Sequence, residues 1–255
     1  MPCKINEFKN GVTRGDRLIG LWCSLTSATA VEVLANVAFD WFLLDMEHAP
    51  NDLKEIVDQL RVLDSSDSVG FVRPPGNDKV TIKRLLDAGT KNFLFPYVEN
   101  VSQAQDIIRA TRYAPEGVRG VSTAGRAAWY GQFPDYLKNA AEEIVIAMQI
   151  ETLEALENLA GFLALPEIDI IFFGPADLSA DMGMLGQPEH PDTRARIVSG
   201  IEQTIASGKM AGVLAPNLNV AREYYDAGAR FIAVGSDIQC MLGAAKRICD
   251  SSQFD

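Results

Sequence analysis

The sequence predicts an α/β fold of the (β/α)8 TIM-barrel type, and three observations carry that expectation. Eight short apolar runs alternate with stretches of helical periodicity between Leu18 and Ile248. The runs are continuous rather than alternating in polarity, as parallel strands covered on both faces require. No linker or low-complexity tract interrupts the series, and 255 residues is close to the length of about 250 typical of such barrels. One domain over residues 1–255 is therefore expected. A doubly wound open sheet is the alternative. The absence of a GxGxxG after the first strand weakens a dinucleotide-binding version of it.

Each element follows from its local pattern. After a short helical lead-in, Leu18–Cys23 reads as the first strand and Ala28–Ala38 as its helix. Trp41–Leu44 is the second strand; it runs out into Asp45-Met46-Glu47-His48-Ala49-Pro50, ahead of a helix over Asp52–Leu63. The third strand, Ser68–Val72, ends at Arg73-Pro74-Pro75-Gly76, and the helix Lys79–Asp87 closes on Ala88-Gly89, a glycine stop. Asn92–Pro96 and Val101–Tyr113 are the fourth strand and helix. The rhythm then breaks: Ala114–Gln132 is glycine-rich and irregular, and a loop this long usually covers or shapes a site. Pro134–Glu143 reads as helical and leads into the fifth strand at Ile144–Met148, followed by a helical pattern over Leu153–Leu163. The sixth strand is Ile168–Phe173, with a second long loop at Ala180–Asp192. A helix (Thr193–Ser207), strand seven (Met210–Leu214), a helix (Val220–Ala227), strand eight (Phe231–Val234) and a last helix (Ile238–Ile248) complete the series.

Composition excludes several roles. With 34 acidic against 23 basic residues the formal charge is -11, which argues against nucleic acid or an anionic membrane as partner. A local arginine and a metal can still reverse the field inside a cleft, so a small anionic substrate stays open. Cys3, Cys23, Cys240 and Cys249 form no CxxC pair and no zinc spacing, as in reduced cytosolic thiols. The polar N-terminus and the lack of a membrane-length apolar segment complete the expectation of a cytoplasmic protein.

In such a barrel the site lies at the C-terminal ends of the strands. The residues there are Trp22, Asp45, Glu47, His48, Arg73, Gln149, Glu151, Asp177 and Asn217. Glu151 and Asp177 stop consecutive apolar runs, and parallel neighbours lie about 5 Å apart, so both can reach one cation. Two carboxylates with open positions suit Mg²⁺ or Mn²⁺; the alternative is that each merely caps the helix that follows. Lys91 and Lys209 precede strands four and seven, at the wrong end for a Schiff base, so a carbonyl reaction relies on metal rather than an imine. His48 is one of two histidines and can act as a general base near neutral pH. Asp45 or Asp87 can hold its second nitrogen, although Asp87 reads equally well as a surface acid. His190, in a polar loop, reads as a loop residue. Arg73, fixed by Pro74-Pro75, can stabilise an enolate oxygen. Gly174-Pro175-Ala176-Asp177 turns into a helix start, where free backbone N–H groups can hold a carboxylate. Trp22 and Leu214 form apolar wall, which core packing explains nearly as well.

With these residues in place, the chain resembles the metal-dependent class II pyruvate aldolases. The resemblance rests on Asp45-Met46-Glu47-His48-Ala49-Pro50, Val72-Arg73-Pro74, Gly117-Val118-Arg119-Gly120, Gln149-Ile150-Glu151 and Gly174-Pro175-Ala176-Asp177-Leu178-Ser179. These five motifs occur in matching order along nearly the whole chain; the nearest type is 4-hydroxy-2-oxoheptanedioate aldolase. The resemblance implies a barrel of the phosphoenolpyruvate/pyruvate-domain type and cleavage of a 4-hydroxy-2-oxo acid, or of a 2-keto-3-deoxy sugar acid, into pyruvate and an aldehyde. It implies Glu151 and Asp177 as ligands of Mg²⁺, Mn²⁺ or Co²⁺, with pyruvate bound through its keto and carboxylate oxygens. It places the pyruvate carboxylate at the backbone N–H groups around Ala176 and Asp177, Arg73 at the enolate, and Gln149 as an orienting residue. His48, aided by Asp45 or Asp87, moves the proton of the aldol hydroxyl. It also implies a hexamer built from dimers that exchange the last helix, residues 238–249.

Two departures bear on the pocket. Met46 stands where glycine is usual, which narrows the pocket or shifts its loop, and Ser122-Thr123-Ala124-Gly125 replaces a different small-residue run. An oxaloacetate decarboxylase or CoA-ester lyase with the same metal-enolate chemistry is the alternative, though no Lys/Arg cluster near the strand exits suits CoA phosphates. A barrel that only binds a keto acid is a third reading; a base such as His48 has no purpose in it.

Overall fold

Apolar runs bounded by helix-capping residues pair side by side until the sheet closes on itself. The computed structural model describes residues 6–215 and 217–252. Helix α1 (Glu7–Arg14) leads into β1 (Leu18–Cys23), α2 (Ala28–Leu34), β2 (Trp41–Asp45), α3 (Leu53–Leu63), β3 (Val69–Arg73), α4 (Lys79–Asp87), β4 (Asn92–Phe95) and α5 (Val101–Thr111). A 3-10 segment at Arg126–Gly131 and the short α6 (Tyr136–Asn139) occupy the long connection to β5 (Val145–Ile150). Then follow α7 (Leu153–Glu157), α8 (Leu159–Leu163), β6 (Ile170–Phe173), α9 (Pro175–Asp181), α10 (Pro191–Ala206), β7 (Met210–Leu214), α11 (Leu218–Asp226), β8 (Phe231–Ser236) and α12 (Asp237–Ser251). The strands pair in parallel in chain order, and β8 returns to β1 to close the (β/α)8 barrel that the sequence predicts.

Two layers of packing hold it. Outside the strands, residues such as Phe42, Leu44, Ile146, Ile171 and Ile232 meet the inner faces of the helices. Inside, Trp41, Phe71, Phe172 and Phe231 fill the barrel, with Phe8 and Val12 of α1 in the same cluster. Trp41 stacks on Phe231 at 3.9 Å between ring centroids, and Phe8 meets Phe71 edge-on at 5.2 Å. Burying each such ring contributes on the order of 2 kcal/mol or more. Gly20 makes room for this plug: a Cβ there falls 2.1 Å from the Trp41 ring, which no side chain tolerates.

The differences from the expected boundaries have local causes. Strands β2, β3 and β5 run on to Asp45, Arg73 and Ile150, because the ladder continues past the point where the apolar pattern stops. Helix α2 ends at Leu34, where Asn36 turns its amide back onto the Glu32 carbonyl. The pattern over Leu153–Leu163 is broken at Asn158, whose amide donates to the carbonyls of Glu99 and Glu154. Only Tyr136–Asn139 of the stretch expected to be helical before β5 is helix. Helix α10 begins at Pro191, earlier than expected, with proline at its first turn and His190 as its cap. Among the described residues no helix is long and apolar enough to cross a membrane.

Candidate active site

The ladder itself assembles the first half of the site. Asp45 and Arg73 end β2 and β3 and are register partners, so their side chains leave the sheet side by side. Arg73 Nε and Nη2 donate to the two Asp45 carboxylate oxygens at 2.8 and 2.6 Å, and Nη1 lies 2.8 Å from Glu47. Trp22 closes the group from β1. Its indole N–H donates to Asp45 at 3.2 Å, and its ring carries the guanidinium at 4.9 Å. Burial opposes the Asp45 charge, but the hydrogen bond and charge of Arg73, with the Trp22 and Glu47 N–H groups, hold its carboxyl below the usual range. A guanidinium has five N–H donors; Asp45 and Glu47 leave some of them for a ligand.

The second half stands at the ends of β5 and β6. Glu151, 1% exposed, accepts from the Tyr97 backbone N–H at 2.8 Å and from the Gln149 amide. Burial pushes its carboxyl up to about 8, and the charges of Asp177 and Glu47 push the same way against the Tyr97 and Gln149 donors. Gln149 Oε1 is buried without a hydrogen-bond partner. Gly174 has to be glycine for Glu151 to sit here: a Cβ there would fall 2.7 Å from Glu151 Oε2. Asp177 stands in the first turn of α9, which Gly174 and Pro175 open with no side-chain cap, leaving N–H groups free. Among the described residues no three His, Cys, Asp or Glu side chains form a ready-made metal site. The donors at hand are two carboxylates and an orphan amide oxygen.

His48 is placed differently from expectation. Its side chain is 66% exposed, and Nε2 lies 3.8 Å from Glu47. Asp45 does not hold the ring, because its carboxylate is taken by Arg73 and Trp22. It accepts instead the backbone N–H of Glu47 at 3.0 Å and of His48 at 3.4 Å. Asp87 does not reach the ring within the chain either. It ends α4, at the opposite end of the barrel, and binds Arg119 at 3.0 Å. Glu47, a strand-exit acid given no role from sequence, is the group that touches both Arg73 and His48; burial pushes its carboxyl up. Its role was hidden because the contact depends on how the loop folds back.

A cavity of about 410 Å³ joins the two halves, within the size range of small-molecule sites. Asp45, His48, Arg73, Gln149 and Asp177 line it. So do Gly174, Pro175 and Ala176, with Trp22, Phe172, Pro188 and Leu214 as apolar wall. Ser24, Ser236 and Gln239 also reach it, and no sequence signal marked them. Asn217 caps α11 and binds Glu189 instead of lining the cavity. Met46 does not narrow the pocket. It packs against the outer core while its N–H donates to the Arg73 carbonyl at 3.0 Å. Lys91 and Lys209 lie at the base, near Glu143 and the carbonyls of Leu165 and Ile168.

Comparison with known proteins identifies the family. The profile of the HpcH/HpaI aldolase/citrate lyase family matches residues 18–244. The 4-hydroxy-2-oxo-heptane-1,7-dioate aldolase of Escherichia coli (strain ATCC 8739) is 44% identical over 244 residues, 95% of this chain and 93% of that protein. The crystal structure of a family protein from Burkholderia cenocepacia J2315 superposes with a TM-score of 0.92 at 35% identity, covering 98% of this chain and 100% of that one. A citrate lyase beta subunit from M. tuberculosis, complexed with oxaloacetate and magnesium, shares the fold at 15% identity and a TM-score of 0.55, covering 90% and 95% of the two chains. On the span of the match and the identity to these relatives, the chain belongs to the HpcH/HpaI aldolase/citrate lyase family.

Proposed function

We propose that this chain, a carbon–carbon lyase by its family, cleaves a 4-hydroxy-2-oxo acid such as 4-hydroxy-2-oxoheptanedioate into pyruvate and an aldehyde with the help of a divalent cation. One observation supports this most: Arg73, His48, Gln149 and Asp177 face one cavity beside a buried Glu151 that, among the described residues, has no salt bridge to a cationic side chain. The donors fit a hard divalent cation such as Mg²⁺, Mn²⁺ or Co²⁺. Glu151 and Asp177 would hold it, with the unpartnered Gln149 oxygen nearby. Bound there, the cation supplies Lewis acidity at the 2-oxo group and offsets the carboxylate charges.

The remaining work falls to the chain. The N–H groups of Ala176 and Asp177 orient the substrate carboxylate, as helix starts do. Arg73, held rigid by Asp45, Glu47 and Trp22, donates to the C2 oxygen as negative charge develops there. His48 takes the proton of the C4 hydroxyl. The C3–C4 bond breaks, its electron pair passes to C3 as pyruvate enolate, and the aldehyde leaves. A proton delivered to C3 then frees pyruvate. Trp22 and Leu214 shield this end from water. A CoA ester fits less well, since Arg73 is the sole lysine or arginine among the residues lining the cavity.

Deuterium exchange into the pyruvate methyl group, followed by NMR, tests the reading without a choice of aldehyde. Exchange that stops with chelator and returns with Mn²⁺ or Mg²⁺ is the expected result; exchange indifferent to chelator overturns the role of the cation.

The same reading extends to assembly: a hexamer whose dimers exchange α12. Along α12 only Asp237 is buried, while Ile238, Met241, Leu242 and Ile248 are exposed. Light scattering at the mass of six chains is expected, and a monomer rules the exchange out.

A further inference from the structure

Among the described residues the His48 ring makes one polar contact, the 3.8 Å approach to Glu47, and it is largely exposed. Within the chain its position is therefore set by the backbone of its loop. That loop is tied at both ends. At the start, the Met46 N–H donates to the Arg73 carbonyl, and the Asp45 carboxylate accepts the N–H groups of Glu47 and His48. At the far end, Asn51 Nδ2 donates to the Asp45 carbonyl at 2.7 Å, closing the segment from Asp45 to Asn51 into a ring. The Asn51 amide is pinned in turn from α3: Gln59 Nε2 donates to Asn51 Oδ1 at 2.8 Å and to the Glu55 carbonyl at 3.0 Å.

Both amides are buried, at 4% and 0% exposure, and neither lines the cavity. Gln59 Oε1 has no hydrogen-bond partner. A buried amide with an orphan oxygen costs stability compared with an apolar side chain of the same shape. The hydrogen bonds this amide does make run from its nitrogen, to Asn51 and the Glu55 carbonyl. We infer that Asn51, pinned by Gln59, is a positioning residue for the reaction, fixing the loop so that His48 meets the substrate hydroxyl. The inference rests on the reading of His48 as the proton carrier.

The test measures kcat and KM for cleavage of 4-hydroxy-2-oxoheptanedioate by the metal-loaded enzyme, together with Tm. The variants are Asn51→Ala, Gln59→Met, His48→Ala, and each of the first two combined with His48→Ala. Displacement of a catalytic group by about 1 Å can cost up to about 100-fold; for Asn51→Ala we expect kcat to fall about tenfold or more with KM within about threefold. Gln59→Met gives a smaller fall while Tm holds or rises, a split that a purely structural role does not produce. In the His48→Ala background both effects shrink to within about twofold, because the group being positioned is gone. An unchanged kcat in the folded Asn51→Ala or Gln59→Met protein overturns the inference, as does an undiminished effect without His48. If Asn51→Ala does not fold, Gln59→Met decides alone. A His48→Ala enzyme with unchanged kcat overturns the proton-carrier reading itself, and the inference with it.

Discussion

Glu151 follows β5 at the mouth of the barrel and Asp169 precedes β6 at its base, so two acids stand at opposite ends of one strand pair. Burial pushes both carboxyls up. At the base the charge is answered from within. Lys9 lies 3.7 Å from Asp169, Lys209 adds its charge, and the Ile146 N–H donates at 2.9 Å. At the mouth the neighbours of Glu151 are two more carboxylates, Asp177 and Glu47. Asp169 has its cations within the fold; under the function proposed above, Glu151 takes its counter-charge from a cation that arrives from solution.

Exchanging the acids for amides breaks the comparison most sharply. Glu151→Gln is expected to abolish cation binding in calorimetry and lower turnover on the order of 10³-fold, with the Tm of the metal-free protein held or raised. Asp169→Asn should do the reverse: turnover near wild type and a loss of about 1–3 kcal/mol in denaturant unfolding, because Lys9 and the Ile146 N–H lose a charged partner. Next in size is Arg73→Lys. A lysine cannot span Asp45 and Glu47 while still donating to a substrate oxygen, and kcat should fall about 10²-fold.

The pH response sharpens the contrast. The Glu151 carboxyl lies at about 8 in the fold against 4.5 for the free group. Folding therefore favours its protonated form, and this stabilisation is complete below 4.5 and lost as pH rises through about 8. Melts of metal-free protein should show Tm declining across that window, and Glu151→Gln should remove this part of the slope. A divalent cation displaces the proton, so its affinity should climb with pH and level off above about 8. A slope that is the same in Glu151→Gln sinks the assignment. The smallest effect belongs to Lys209→Met at the base: about 1 kcal/mol from its bonds to the Leu165 and Ile168 carbonyls, with no change in kcat.

The barrel was legible because each strand is buried on both faces and so writes an unbroken apolar run. Candidate-site residues that end those runs or closely follow them, Asp45, Arg73, Glu151 and Asp177, were legible for the same reason: a charge beside a buried run is conspicuous. What could not be read is what depends on chain reversal. Glu47 reaches Arg73 only because its loop folds over the mouth, and Ser236 and Gln239 reach the cavity from the far end of the sequence. Asp87 depends on more than one chain: within this one α4 carries it down to Arg119, so a contact with His48 requires a neighbouring subunit. Asn158, a residue that fits a helix in pattern, breaks one by bonding two carbonyls.

The register pairing of Asp45 with Arg73 has a bearing on refolding. A slip of β3 by one residue against β2 turns every β3 side chain to the other face, so the guanidinium and its carboxylate part company, and Phe71 leaves the plug, even if other rings have collapsed around Trp41 and Phe231. Tryptophan burial and recovered turnover thus count different populations: collapsed molecules and correctly threaded ones. Turnover is expected to recover after tryptophan burial, and the part of that lag that depends on neither protein nor cation concentration reports strand alignment, readable without any label beyond the indoles the chain already carries.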